Sequence, residues 1–338
     1  MLSRRQFTTM MLLGLPMTLE RLRAAPNALD TRKRVSRDED DCASSVHFLI
    51  FGDWGTGNQI QKDVARAMER FADVRKHTSP LRFVINTGDS FYETGVNDVH
   101  DAQWQTKFET MYSRRSLNVP FLGVLGNHDW IQDPTAQIAY ARTHKGTRWQ
   151  MDNFWYKRQI ADNGRFEYSN SAKKTPLADF FFIDTNLPTE WRRVRGLNER
   201  QNAWLERELK ASRATWKFVV GHHPLYSDGP HGRDEDVLQL RANLSPLFKE
   251  HKVDAYFCGH DHNLEVIAVP NHPTLFLVSG NGGRPYQRKF NDWSPFFSSE
   301  PGFASIQLSR SELRGQFINS QGRVLSNWKR KPLRTSTR

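Results

Sequence analysis

The sequence predicts an α/β fold built on a largely parallel sheet. Three apolar runs, at 46–51, 82–85 and 120–125, have the length and the content of β-branched and aromatic residues that buried strands have. Each run ends in a polar loop, and an amphipathic helical pattern over 59–76 follows the first. Strand, polar loop and helix therefore alternate along the first part of the 338-residue chain, which is typical of strands joined by crossover helices.

Apolar runs and amphipathic helical patterns also predict the later strands and helices. Further helices are expected at 101–112, 136–142, 198–212 and 234–251. Further strands are expected at 154–156, 166–168, 178–183, 218–220, 254–258, 265–269, 274–279, 304–308 and 315–318. Asn163-Gly164 favours a hairpin turn between the first two of these strands. The last four strands imply a second sheet.

The composition is that of an ordinary soluble globular protein, in one large domain or two small ones. Hydrophobic residues make up 38% of the chain and charged residues 25%, and no segment approaches the ~20 apolar residues that a membrane-spanning helix needs. The formal net charge of +11 is scattered rather than clustered, so we expect no specific nucleic-acid surface and no permanent membrane anchor. Cys258 lies in an apolar run and is expected to be a buried free thiol; a bridge to Cys42 does not follow from the sequence.

The first residues are typical of a twin-arginine export signal. Arg4 and Arg5 precede a short apolar stretch at 10–19, and Ala24-Ala25 supplies small residues for cleavage. A basic helix on a membrane surface is the alternative, but the apolar stretch is too short to anchor the chain. We therefore expect the twin-arginine machinery to export this chain as a periplasmic or secreted protein.

Composition divides the chain into four segments. A signal peptide at 1–25 is followed by a polar, disordered lead-in at 26–43, which has little apolar surface to bury. The folded domain is expected at 44–328. A mobile basic tail is expected at 329–338.

Ligand-type side chains stand at the ends of five predicted strands. They are Asp53, Asp89 with Tyr92, Asn127 with His128, His222, and His260 with His262. One Asp or His in such a position is more often satisfied by a hydrogen bond or a helix cap. Five such ends at one sheet edge are hard to explain structurally, because burying carboxylates and imidazoles together is costly unless a cation compensates them. Asp184 is a further candidate that has no such neighbours in the sequence.

The charges of these side chains predict two metal ions of different valence. One site would consist of Asp53, Asp89, Tyr92 and His262. A tyrosine has an unperturbed pKa of ~10, so Tyr92 binds as phenolate only to a hard, highly charged ion such as Fe(III). The remaining donors are neutral: Asn127, His222 and His260. With Asp89 as a bridge they suit a divalent ion, Fe(II), Zn(II) or Mn(II), and two ions ~3.5–4 Å apart can clamp the oxygens of a phosphoryl displacement.

Five short motifs resemble the signature of the metallophosphoesterases. They are Gly52-Asp53-Trp54-Gly55, Gly88-Asp89-Ser90-Phe91-Tyr92, Gly126-Asn127-His128-Asp129, Val219-Val220-Gly221-His222 and Gly259-His260-Asp261-His262. Because Tyr92 follows Asp89 by three positions, the chain is similar to the purple acid phosphatases, and most to the small tartrate-resistant acid phosphatases. The resemblance covers 46–320 and implies a four-layer αββα metallophosphoesterase sandwich, in which helices flank two mixed sheets.

The resemblance also implies an activity and a role for each site residue. The implied enzyme is an acid phosphatase that hydrolyses phosphate monoesters at a binuclear Fe(III)–divalent centre, where a metal-bound hydroxide attacks in line. The implied ligands are Asp53, Asp89, Tyr92 and His262 for Fe(III), and Asp89, Asn127, His222 and His260 for the divalent ion. The implied catalytic residues, His128 and His231, would hold phosphate oxygens or protonate the leaving alkoxide.

Three other functions stay open at this point. A phosphodiesterase or nucleotidase would use the same site. A protein phosphatase of the same superfamily generally lacks a counterpart of Tyr92. A non-catalytic phosphate- or phospholipid-binding protein could keep the fold. The chain also departs from the family's pattern at Trp130 and His223, and it has no evident cysteine pair for the family's disulfide.

Overall fold

The computed structural model describes residues 45–167, 175–190 and 194–334. Its α-helices in these ranges are α1 (Gln59–Arg75), α2 (Thr135–Thr143), α3 (Leu197–Ala211) and α4 (Glu235–Glu250). Shorter helical turns are a π-helix at Trp104–Glu109 and 3-10 turns at Arg115–Leu117 and His128–Trp130. The predicted signal peptide and the whole predicted lead-in, which includes Cys42, lie outside the described residues, whereas Cys258 is buried and free, as predicted.

The strands form two mixed sheets. Sheet A has the order β15 (Val324–Arg330), β14 (Leu313–Asn319), β13 (Gly302–Leu308), β1 (Val46–Phe51), β2 (Leu81–Asn86), β3 (Phe121–Gly123) and β4 (Trp149–Gln150). Sheet B has the order β12 (Phe296–Ser298), β10 (Leu264–Ile267), β11 (Leu275–Ser279), β9 (Ala255–Cys258), β8 (Trp216–Val220), β7 (Ala178–Phe182), β5 (Tyr156–Ile160) and β6 (Phe166–Glu167). The central strands β1–β2–β3 and β7–β8–β9 are parallel.

The sheets pack face to face, and helices cover their outer faces. Phe48 of β1 contacts Phe180 of β7 across the interface, with ring centroids 5.5 Å apart. Side chains of adjacent residues on a strand point to opposite faces, so Phe181 instead joins the apolar cluster formed with α3 and α4. On the outer face of sheet A, His47 of β1 contacts Phe71 of α1, with ring centroids 5.8 Å apart. The predicted four-layer αββα sandwich is confirmed.

Most predicted elements are confirmed, and the hairpin is one of them. β5 and β6 are antiparallel, and Gly164 adopts a φ of +75° in the turn between them. The predicted strand 154–156 begins only at Tyr156. The predicted helix 101–112 is wrong in type, since a π-helix occupies its centre; the wider turn accommodates Trp104 and Phe108, which both pack against Trp149.

The predicted second sheet is present, but the last strands divide between the two sheets. β10 and β11 extend sheet B beside β9, whereas β13 and β14 join sheet A beside β1. Sheet membership depends on which distant strand supplies the backbone partners, and alternation within one strand does not encode it. The boundary predicted at 329 also cuts through β15, and beyond that strand Arg334 lies 3.6 Å from the buried carboxylate of Asp254.

No helix among the described residues is both long enough and apolar enough to cross a membrane.

The buried His47 makes a prediction about acid stability. Its Nδ1 donates to the Ser79 carbonyl and its Nε2 accepts from the Ser305 hydroxyl, both at 3.0 Å. Burial, with a smaller contribution from Arg75, lowers the pKa of His47 to about 4. The unfolded chain therefore takes up a proton first, so the contribution of neutral His47 to stability is complete above pH ~6.5 and is lost as pH falls towards 4.

We expect this residue to contribute about 3 kcal/mol to the fall in stability between pH 6.5 and 4. A His47→Gln variant should lose that part of the pH dependence. Urea denaturation of both proteins at pH 4 and pH 7 measures it. Equal pH slopes for the two proteins would contradict the prediction.

Candidate metal centre

The candidate site lies where the parallel strands of both sheets end. Phe51, Asn86 and Gly123 are in register at the ends of β1, β2 and β3, and Val220 and Phe257 are in register near the ends of β8 and β9. The loops that follow carry Asp53, Asp89 with Tyr92, Asn127, His222, and His260 with His262. All seven predicted metal ligands therefore extend from one edge of the sandwich, as the strand-end pattern predicted.

Four of these side chains form a cluster that we call the tyrosine group: Asp53, Asp89, Tyr92 and His262. The Tyr92 Oη lies 2.9 Å from Asp89 Oδ2, 3.3 Å from Asp53 Oδ1 and 3.0 Å from His262 Nε2. Asp53, Asp89 and His262 each offer a donor atom within 4.8 Å of the others. The cluster is buried, so three oxygen donors and one nitrogen donor converge away from solvent.

The other three predicted ligands form the amide group: Asn127, His222 and His260. Asn127 Oδ1 lies 3.0 Å from both His222 Nε2 and His260 Nδ1, and these two nitrogens are 3.3 Å apart. Asp89 lies between the groups. Its Oδ2 contacts Tyr92, and its Oδ1 is 3.6 Å from His222 Nε2. One carboxylate thus faces both groups.

Hydrogen bonds from the surrounding backbone fix these side chains. His222 Nδ1 donates to the Thr87 carbonyl at 2.8 Å, so its Nε2 keeps a lone pair directed at the amide group. The backbone N–H of His128 donates to Asp89 Oδ1 at 3.0 Å, and that of His260 donates to both oxygens of Asp53 at 3.1 Å. The loops after β2, β3 and β9 therefore each position a ligand that belongs to another loop.

Three of the candidate ligands have left-handed backbone. The φ angles are +58° for Asp53, +49° for Asp89 and +67° for His260. This region costs a non-glycine residue of order 1–3 kcal/mol, and such strain concentrates at functional sites. The surrounding fold holds these three residues in place against that cost.

Close approach of two loops makes Gly259 a sensitive position. A Cβ on this residue would lie 2.2 Å from Asp53 Oδ2. We expect Gly259→Ala to displace the Asp53 carboxylate, to cost about 1–3 kcal/mol in the free energy of unfolding and to reduce metal content. Gly123→Ala is the control, because its nearest neighbour is the flexible Met151 side chain at 3.2 Å. Normal metal content and stability in Gly259→Ala would contradict the prediction.

The electrostatics of the site match a cation. Desolvation by burial, followed by the charge of Asp89, raises the pKa of Asp53 well above its ordinary value. The same two causes raise the pKa of Tyr92, so the apoprotein opposes the phenolate form. Burial lowers the pKa values of His222, His260 and His262, which keeps the imidazoles neutral, as metal ligation requires.

The donor chemistry of the two groups fits two different ions. The tyrosine group is rich in anionic oxygen, which hard and highly charged cations prefer, whereas the amide group offers neutral nitrogen and amide oxygen. The carboxylate of Asp89 faces both groups, as a bridging ligand must. A positive charge in the tyrosine group would reverse the unfavourable ionisation of Asp53 and Tyr92.

Comparison with known proteins identifies the family. The model of the calcineurin-like phosphoesterases matches residues 46–264. Purple acid phosphatase 4 of Arabidopsis thaliana is 33% identical over 297 residues, which cover 84% of this chain and 83% of that protein. The chain is a purple acid phosphatase family member. Tartrate-resistant acid phosphatase type 5 of Homo sapiens is 30% identical over 311 residues, 85% of this chain and 91% of that protein.

This purple acid phosphatase also resembles a solved structure over most of its length. GAP50, the anchor in the inner membrane complex of Plasmodium, has a TM-score of 0.75 and 28% identity, and the match covers 87% of this chain and 91% of that chain. The predicted family and activity class are confirmed: the chain is a metal-dependent phosphatase. Membership also implies a binuclear metal centre.

The two predicted catalytic histidines of the purple acid phosphatase flank the metal groups. The rings of His128 and Tyr92 have centroids 4.6 Å apart, beside the tyrosine group, and the rings of His231 and His260 have centroids 4.5 Å apart, beside the amide group. His128 Nδ1 donates to the Glu93 carbonyl at 2.6 Å. His231 Nδ1 pairs with the Asp234 carboxylate at 2.7 Å. Nε2 of each ring is therefore the nitrogen left to reach a substrate.

Sequence reasoning missed the residues that hold the loops together. Asp129 is buried, and its carboxylate accepts from the backbone N–H of Ser90 and of Gly126, which ties the loop after β2 to the loop after β3. Tyr286 stacks on His262, with ring centroids 4.0 Å apart and planes at 3°. Asp129 stood in a recognised motif and could have been found there, but Tyr286 lies in a segment without any motif.

Two of the departures noted in the sequence, His223 and Trp130, have structural roles near the site. His223 is buried, with its Nδ1 2.8 Å from Thr185 Oγ1 and its ring 4.4 Å from that of His260. Trp130 Nε1 donates to Asp184 Oδ2 at 2.9 Å. Asp184 therefore accepts hydrogen bonds outside the two metal groups. The structure does not bring it into the site.

Proposed function

We propose that this chain is an acid phosphatase that hydrolyses phosphate monoesters with Fe(III) in the tyrosine group and a divalent ion in the amide group. The divalent ion is Fe(II), Zn(II) or Mn(II). One observation carries the proposal: seven donor side chains from five strand ends converge, and Asp89 stands between the two groups at 2.9 Å from Tyr92 Oη and 3.6 Å from His222 Nε2.

The assignment of Fe(III) rests on the tyrosine. Tyr92 is buried against two carboxylates that both raise its pKa, so only a strongly charged ion can stabilise its phenolate. The neutral amide group has no anionic donor of its own besides the shared Asp89. A divalent ion there leaves less uncompensated charge in a buried site than a second trivalent ion would.

The protein's own groups orient the phosphate and move the proton. When bound, the metal pair supplies the positive charge that polarises the phosphoryl group and acidifies water. His128 and His231, one beside each group, hold phosphate oxygens through Nε2 or protonate the leaving alkoxide. The hydrogen bonds from Nδ1 to Glu93 and Asp234 fix the ring orientation that this role needs.

Hydrolysis of matched esters tests this function. The metal content and visible spectrum of the purified protein are measured first, and turnover of p-nitrophenyl phosphate is then compared with that of bis(p-nitrophenyl) phosphate. We expect iron, a second metal and preference for the monoester, with turnover lost after chelation and restored by metal. Preference for the diester would favour a phosphodiesterase or nucleotidase.

A non-catalytic role is the alternative from another class. GAP50 has a similar fold and is an anchor. The complete donor set of this chain favours turnover, because a binding protein has no need to keep seven converging ligands, three of them with left-handed backbone. Bound metal without hydrolysis of either ester would support the non-catalytic role.

We also propose export by the twin-arginine machinery, from the Arg4-Arg5 pair and the short apolar stretch that follows. Replacing both arginines with lysine should leave the protein in the cytoplasm, as cell fractionation would measure. Unchanged export would contradict this route.

A further inference from the structure

The segment 282–286, which follows β11, lies between two of the loops that carry ligands. Near its start, the backbone N–H of Gly282 donates to the Gly52 carbonyl at 3.0 Å, beside Asp53. At its end, the backbone N–H of Tyr286 donates to the His262 carbonyl at 2.7 Å. The intervening residues are therefore held at both ends by the loops that carry two ligands of the tyrosine group.

Arg284 lies at the centre of this segment, beside the tyrosine group. Its guanidinium carbon is 5.0 Å from the centroid of the Tyr92 ring. The same guanidinium pairs with the carboxylate of Glu93, the residue after Tyr92. The fixed backbone and the ring contact place a positive charge next to the metal centre.

The pairing with Glu93 leaves Arg284 able to bind another anion. The two side chains are 42% and 59% exposed, and an exposed ion pair contributes little to stability. A guanidinium has five N–H donors, and its hydrogen bond to Glu93 engages one terminal nitrogen. A planar fork of this kind suits carboxylate or phosphate oxygens.

The aromatic ring of Tyr286 lies at the end of the segment that carries the Arg284 guanidinium. One face of its ring stacks on His262 at 4.0 Å, and its ring lies 5.8 Å from that of His231. It therefore spans from the tyrosine group to a histidine of the amide side. Tyr286 and Arg284 therefore lie at the rim of the site. If a phosphate is held between the two metal groups, the rest of the substrate must lie at this rim.

We propose that Arg284 is a specificity residue that favours phosphate monoesters whose leaving group carries a second anionic group. The inference rests on the proposed function and deepens it. Glu93 competes with the substrate's second anion for the guanidinium. The two partners of one ion pair therefore have opposite effects on selectivity.

The test uses two esters of similar size in the metal-loaded enzyme. The probes are p-nitrophenyl phosphate and 4-carboxyphenyl phosphate, and the quantity measured is the ratio of kcat/KM for the second to that for the first, relative to wild type. Intrinsic reactivity of each leaving group cancels in this comparison. The variants are Arg284→Gln and Glu93→Gln. Their matched controls, Arg66→Gln and Asp63→Asn, remove the same charges from an exposed pair on α1.

We expect Arg284→Gln to lower the ratio about fivefold and Glu93→Gln to raise it about twofold, with the controls near wild type. If the ion pair had only a structural role, both variants would change the kcat/KM ratio in the same direction. If the overall charge of the protein attracted the anionic ester, the control variants would change the ratio as well. The inference requires that the ratio change in opposite directions in the Arg284 and Glu93 variants and stay near wild type in the controls. Any other result overturns it.

Failure of the inference and failure of the proposed function give different results. If the chain is not a phosphatase, wild type hydrolyses neither probe despite bound metal. If only the inference is wrong, wild type hydrolyses both probes and the ratio fails to respond as described. Turnover of p-nitrophenyl phosphate by Arg284→Gln also shows that the variant is folded.

Discussion

An Asp89→Asn variant is expected to lose metal and to fall about a thousandfold or more in turnover. The carboxylate lies between the two groups, 2.9 Å from Tyr92 Oη and 3.6 Å from His222 Nε2, so its charge serves both ions. Asparagine keeps the shape of the side chain and removes that charge. Elemental analysis and the p-nitrophenyl phosphate assay measure the two losses in the same preparation.

Asp184→Asn is the matched control for this change. Asp184 is also a buried carboxylate after a parallel strand of the same edge, but it accepts from Trp130 Nε1 and from Asn186 instead of facing the metal groups. The amide oxygen can still accept the two bonds from Asn186, and the bond from Trp130 that is lost lies outside the metal groups. We expect normal metal content in this control. An Asp89→Asn protein with full metal content and normal turnover would contradict the bridging role.

A Tyr92→Phe variant is expected to lose the violet absorption of the iron-loaded protein. The colour expected of the ferric form depends on a phenolate ligand, and Tyr92 Oη is the phenol oxygen that lies within 3.3 Å of Asp53, Asp89 and His262. Phenylalanine keeps the ring that packs against His128. The visible spectrum and iron content are measured together, so that loss of colour can be separated from loss of iron.

The neighbouring phenol supplies the control. Tyr286→Phe keeps the ring that stacks on His262 and removes a hydroxyl that is not part of the tyrosine group. We expect this variant to retain colour and iron. Colour that survives in Tyr92→Phe, or that disappears in Tyr286→Phe, would show that Tyr92 is not the ligand.

Local patterns predicted the fold class and the donor set for the same reason. Parallel strands end at one edge of a sheet, so a donor placed just after each strand reaches a common site whatever the connections between strands. This is why Asp53, Asp89 and His222 could be assigned together. The resemblance to a known family then added His231, which stands at no predicted strand end.

Pairing over long distances was not predictable in the same way. The strands β13 and β10 are both almost wholly buried, yet the first joins β1 in sheet A and the second joins sheet B. Their partners are chosen by packing of the whole core. The placement of Arg284 beside Tyr92 likewise depends on a hydrogen bond between Gly282 and Gly52, residues 230 positions apart.

The sequence by itself therefore determined which side chains can bind metal and the class of fold that presents them, because both follow from periodicity and residue chemistry along short segments. The tertiary structure decided which nitrogen of His222 faces the site and which residues form the rim. These depend on distances of a few ångströms between loops such as those of Asp53 and His260, which are 207 residues apart. Such distances are set by the packing of two sheets and are recorded in no local pattern.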